Sequence, residues 1–143
     1  MKTGLASTAP VGALLLRLTL VSFWAVHWWY KVGYRGMPTT VSFFNSLDLP
    51  VWLAWFDISF EVLVVPLLLS GFLFRLACLS SLPILFSSMI IFGKNGFYFT
   101  TGGIEVVVLW ALVQTCLVLV GPGALSVSFP AKTRSEVINW LLG

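Results

Sequence analysis

Charged residues are scarce in this chain, at 9% of 143 positions, against roughly 25% in an ordinary soluble domain. Histidine occurs once and cysteine twice, and each shortage excludes something. One histidine cannot form a bis-histidine haem site, and no second imidazole is present to build a zinc set, so no metal is expected. Cys78 and Cys116 lie in separate apolar runs, and no C-x-x-C pattern occurs. That argues against a four-helix thiol-oxidising enzyme, and buried free thiols usually act as small hydrophobes. The net charge of +3 is scattered, and apart from Lys132 and Arg134 the basic residues stand singly. No basic patch for nucleic acid results. There is no phosphate-binding glycine loop and no dinucleotide fingerprint. No intrinsic cofactor is expected, because the chain shows no redox centre of its own.

What fills the chain instead is apolar: 59% of the residues are hydrophobic. A soluble protein of this length could not bury so much apolar surface, so lipid is the expected solvent. Four apolar segments run from Val11 to Tyr30, Val51 to Ser70, Leu76 to Phe92 and Ile104 to Val120. Each has about 17–20 residues, the length a helix needs to cross about 30 Å of hydrocarbon. Lipid offers no partners to backbone groups, so these segments must be helices. The expected fold is an all-α membrane protein, a four-transmembrane-helix bundle with a short C-terminal interfacial helix. Arg17 interrupts the first run and no small-residue cleavage site follows, so this segment is expected to be retained rather than removed as a signal peptide.

The connections differ. Lys31 to Pro50 is long and carries Gly33, Gly36, Pro38 and Pro50, which mark it as a loop. Gly71 to Arg75 is a tight turn, which predicts an antiparallel hairpin of the second and third helices. Gly93 to Gly103 forms the third connection. The four-helix domain is expected over residues 1–127 and a tail over 128–143. In that tail Thr133 to Glu136 matches a capping box ahead of Val137, Ile138, Trp140 and Leu141, which suits a helix lying on the membrane surface or a frayed end. Four spans put both termini on one side, with Lys2, Arg75, Lys132 and Arg134, and Arg17 close by. The other side holds Lys31, Arg35 and Lys94. The positive-inside rule then favours cytoplasmic termini in the cell (inner) membrane.

Ionisable groups inside the apolar segments carry the functional signal, because each costs at least ~2.5 kcal/mol at a helix centre. They are Arg17, His27, Asp57, Glu61 and Glu105. Asp57 and Glu61 are four apart and share a helix face. By helical rise Glu61 lies about 15 Å from the loop side and Arg17 about 9 Å from the terminal side, which leaves about 6 Å between them along the membrane normal. An Arg17–Glu61 ion pair is expected, structural rather than catalytic. His27, Asp57 and Glu105 share a layer nearer the loop side with Lys31 and Tyr98, and a polar pocket is expected there. The plainer readings stand beside it: His27, next to Trp28, Trp29 and Tyr30, suits an interfacial aromatic belt, and Glu105 suits a headgroup position.

Several blocks of residues carry a family resemblance. They are Leu14-Leu15-Leu16-Arg17-Leu18 leading to His27 and Lys31, then Leu49-Pro50 followed by Glu61, and Gly71-Phe72-Leu73-Phe74-Arg75-Leu76-Ala77. Asn95-Gly96-Phe97-Tyr98, Gly102-Gly103-Ile104-Glu105 and Gly121-Pro122-Gly123 with Leu125-Ser126 complete the set. In order and spacing, over residues 12 to 127, the chain resembles the DoxX family. The resemblance implies a four-helix membrane protein linked to redox chemistry, whose relatives look like membrane subunits or accessory partners of oxidoreductases. Trp28 and Trp29 stand where the family usually has glycine after the first-helix histidine. Val62, Leu63, Val64 and Val65 stand where it favours small residues, and such bulk reshapes a pocket.

Two functions fit. One is a quinone-linked accessory subunit: a quinone needs an apolar slot for its tail, donors at its carbonyls and a proton route. His27, Lys31 and Tyr98 are candidate donors, and Asp57, Glu61 and Glu105 are candidate proton carriers. Electron transfer would then involve an oxidoreductase partner or a bound cofactor. The other is a non-catalytic membrane anchor or assembly protein for such a partner, in which the polar groups only fix helix packing. A homo-oligomer is compatible with both.

Overall fold

The computed structural model describes residues 8–127 and 136–142. It contains six helices among those residues: α1 (Ala9–Trp29), α2 (Met37–Asn45), α3 (Val51–Ser70), α4 (Phe74–Phe92), α5 (Glu105–Val120) and α6 (Glu136–Leu142). The all-α membrane bundle expected from the sequence is the fold. Helices α1, α3 and α4, with their short extensions, are long and apolar enough to cross a membrane, and α5 is a shorter apolar helix beside them.

Four helices close a ring. α1 packs on α3 and α5, and α4 packs on the same two. Backbone bonds gather one set of ends: the Ala124 amide donates to the Pro10 carbonyl, and the Val127 amide to the Ser70 carbonyl. The start of α1, the end of α3 and the segment after α5 therefore meet at one end, called the terminal end below. With α4 starting just after α3, every neighbour in the ring is antiparallel, an up-and-down bundle. Gly71 makes the α3–α4 reversal compact. It adopts the left-handed conformation at φ 74°, and a Cβ there would lie 2.8 Å from Arg17 Nη1, so only glycine fits the turn.

Burial is inverted relative to a soluble bundle. Large apolar side chains such as Leu15, Val26, Trp52, Leu63, Leu112 and Leu119 face outward. Arg17, Asp57, Glu61 and Gln114 are buried. Lipid rewards this arrangement, since outward apolar groups contact acyl chains and polar groups find partners only inside. The packed core, with Leu20, Val64, Leu68, Phe74, Cys78 and Leu117, lies largely toward the terminal end. The opposite half is more open.

The long connection after α1 is not a plain loop. The helix widens into a π turn over Tyr30–Tyr34, closed by the Arg35 amide on the Tyr30 carbonyl, and α2 follows. Pro38 sits in the first turn of α2, where a missing N–H costs nothing, and Gly36 supplies φ 79° ahead of it. These residues punctuate a helix start rather than exclude a helix. α2 packs on α3, and Phe43 stacks on Phe92 at the end of α4, with ring centres 6.2 Å apart. The connection before α5 contains two short 3-10 turns, Gly93–Asn95 and Phe99–Thr101. In the tail, α6 packs on α4. The capping-box residue Thr133 lies outside the described residues.

Candidate functional site: a cleft at the loop end of the bundle

α1 presents Trp24 and His27, three apart on one face, and the π turn that continues it brings Lys31 beside them. α3 presents Asp57 and Glu61, one turn apart. These faces meet at a cleft of about 670 Å³, within the range of small-molecule sites, roughly 300–1,000 Å³. Trp24 and Trp110 line it where it meets the packed core, and their rings make an edge-on contact at 4.7 Å. Phe43 and Phe44 of α2, Leu53 and Phe56 of α3 and Ile91 of α4 supply apolar wall.

Lys31 organises the polar part. Its Nζ donates to Asp57 Oδ2 at 2.5 Å and to Glu61 Oε1 at 2.8 Å. The Lys31 side chain keeps 23% exposure and that of Asp57 12%, while Glu61 keeps 1%. Lysine and aspartate are thus reachable, and glutamate forms the buried end. Thr40 of α2 donates its hydroxyl to the Lys31 carbonyl at 3.0 Å, which ties the widened turn to α2. The π turn is the local device that places Lys31: such bulges reset the side-chain register of a helix and recur at functional sites. His27 lines the cleft with its ring edge-on to Trp110 at 5.0 Å, and its ring nitrogens have no hydrogen-bond partner among the described residues. Arg35 lies over the Tyr30 ring at 5.4 Å, and both line the cleft.

The structure thus brings His27, Lys31, Asp57 and Glu61 together. It leaves Glu105 and Tyr98 outside, and this corrects the expected layer. Glu105 Oε2 accepts the Phe99 amide at 3.1 Å and so braces the turn before α5, while Tyr98 is exposed. The loop folds back on itself, with the Gly103 amide bonded to the Tyr98 carbonyl and the Glu105 amide to Phe97. That closure spends the Glu105 carboxylate locally.

The expected Arg17–Glu61 pair is likewise corrected. Glu61 pairs with Lys31. Arg17 is 2% exposed and donates to the carbonyls of Pro122 at 2.7 Å and Leu125 at 3.0 Å. The physical reason is local supply. The segment that follows α5 runs beside Arg17 and presents backbone carbonyls that no helix ladder satisfies. A guanidinium fork fits several carbonyls at once. Lys31, coming from the other side on a long flexible stem, reaches the carboxylates instead.

One buried network was not anticipated from the sequence. Trp24 Nε1 donates to Gln114 Oε1 at 3.2 Å, and Gln114 Nε2 donates to the Cys78 carbonyl at 2.7 Å and to Ser81 Oγ at 2.8 Å. It fixes α1, α4 and α5 to one another just below the cleft. The available signal was Gln114 itself, an amide in an otherwise apolar stretch of α5.

A family model for DoxX matches residues 12–94. No curated protein and no solved structure matches the chain. The matched span covers more than half of the sequence, runs through α1, α2, α3 and α4, and includes His27, Lys31, Asp57 and Glu61. It stops short of the blocks around Gly102–Glu105 and Gly121–Gly123. This multi-pass membrane protein belongs to the DoxX family.

Proposed function

We propose that the chain is a quinone-linked accessory subunit of a membrane redox system, holding a small amphipathic ring compound in the cleft between its helices. The observation that carries this reading is the cleft itself: aromatic and aliphatic walls surround one lysine, two carboxyl groups and a histidine at the loop end of the bundle. Packing alone does not require this chemistry, since serine or threonine would join helices at lower cost. The apolar walls suit an alkyl tail and a flat ring. Lys31, Asp57 and His27 suit the polar ring substituents and the protons that accompany a quinone's change of state. The electrons would come from or go to an oxidoreductase partner in the inner membrane.

Purification in mild detergent tests this. The expected result is a benzoquinone- or naphthoquinone-type lipid in the organic extract of the protein, lost in a Lys31→Met variant that still folds. A stoichiometric protein partner with no small molecule in extracts of either form would favour the non-catalytic anchor instead.

A further inference from the structure

We infer that the cleft selects the hydroxyl-bearing, hydrogen-donating form of its ring ligand over the carbonyl form. This deepens the quinone reading and rests on it. It comes from counting what the polar wall has left to offer. An ammonium has three N–H donors, and Lys31 gives two of them to Asp57 Oδ2 and Glu61 Oε1. One donor remains. Asp57 Oδ1 has no hydrogen-bond partner among the described residues. Glu61 Oε2 is fully buried and also has no partner, on a side chain that lines the cleft at 1% exposure. With both carboxyl groups ionised, the Lys31 ammonium faces two carboxylates, and the triad is a net acceptor.

A quinone carbonyl can only accept. Placed against this wall it would meet carboxylate oxygens with one N–H to share. A phenolic hydroxyl can donate to Asp57 Oδ1, or to Glu61 Oε2 when the side chains shift, and its own oxygen can still accept the third Lys31 proton. A hydroxyl therefore satisfies both kinds of leftover group, and a carbonyl satisfies one. An unsatisfied buried carboxylate oxygen is a large penalty in a water-poor site. Beyond the triad, His27 can serve as donor or acceptor, Thr40 Oγ1 is engaged with backbone carbonyls, and the exposed Arg35, which also lines the cleft, lies with its guanidinium over the Tyr30 ring.

The test separates hydrogen donation from ring shape and redox chemistry. A 5-alkylresorcinol keeps two hydroxyls and does not convert to a quinone, and its dimethyl ether keeps the ring and tail but cannot donate. Equilibrium dialysis against lipid nanodiscs with and without the full chain measures both, alongside a short-tailed benzoquinone. The resorcinol should bind at least about tenfold more tightly than the ether, the worth of one hydrogen bond to a charged group. The benzoquinone should bind more weakly than the resorcinol, and the resorcinol's advantage should shrink in Asp57→Asn. Equal binding of resorcinol and ether, or tighter binding of the benzoquinone, overturns the selectivity while leaving a ring-binding cleft in place. No protein-dependent uptake of any of the three overturns both. The comparison on the unaltered chain decides the matter even if the variant does not fold.

Discussion

At the residue scale, the account turns on Lys31. One ammonium holds two carboxyl groups that would otherwise face each other in a low-dielectric site. Removing it leaves buried charge without a counter-ion, the situation that makes broken internal pairs cost about 3–5 kcal/mol. Lys31→Met should therefore lower unfolding stability in bicelles by that order. Combining it with Asp57→Asn and Glu61→Gln should recover most of the loss, because the charges then leave together. Strictly additive losses across the three sites would show that the groups do not interact. The shared face of Asp57 and Glu61 was legible in the sequence from their spacing of four. Their partner was not. Depth arithmetic places backbone positions, whereas Lys31 is brought to the carboxylates by a π turn and a flexible stem, and neither leaves a periodic signature.

At the element scale, the terminal end is closed by arginines acting on backbone carbonyls. Arg17 bonds the carbonyls of Pro122 and Leu125. Arg75 donates Nε to the Val118 carbonyl and Nη1 to the Trp140 carbonyl of α6, and its guanidinium lies 4.8 Å from the centre of the Trp140 ring. For Arg17, carbonyls of the segment after α5 take the place that a carboxylate was expected to fill. Arg17→Lys keeps the charge but loses the fork, so about one charged hydrogen bond should go, with a loss of about 1.5–3 kcal/mol. Thermal unfolding of the purified protein checks this, and an unchanged midpoint would mean that the fork carries no weight. The four apolar helices of the ring were readable because lipid imposes their length and composition. α2 was hidden by its own start signals: Gly36 and Pro38 read as loop punctuation, although a proline in a first turn begins a helix as readily as it ends one.

At the scale of the whole molecule, the bundle is divided along the membrane normal. The terminal half is packed and stitched by arginines, and the loop half holds a cleft with a polar wall, bounded by the Trp24–Gln114 network. We propose that the terminal half faces the cytoplasm, on the balance of basic residues outside the spans. Reporter fusions at Gly143 and at Met37 should then report opposite compartments with Gly143 inside, and the reverse pattern would invert the orientation without touching the cleft. The central claim, that the cleft takes up a quinone-class ring, is tested most directly by photolabelling. A photoactivatable benzoquinone with an alkyl tail is cross-linked to the full chain in nanodiscs, and the labelled peptides are mapped by mass spectrometry. Label concentrated on the segment from Trp24 to Arg35, on α2 and on α3 between Leu53 and Glu61, and displaced by unlabelled quinone, is the result expected. Label spread over the lipid-facing residues Leu15, Leu63, Leu112 and Leu119, undiminished by competitor, would contradict it.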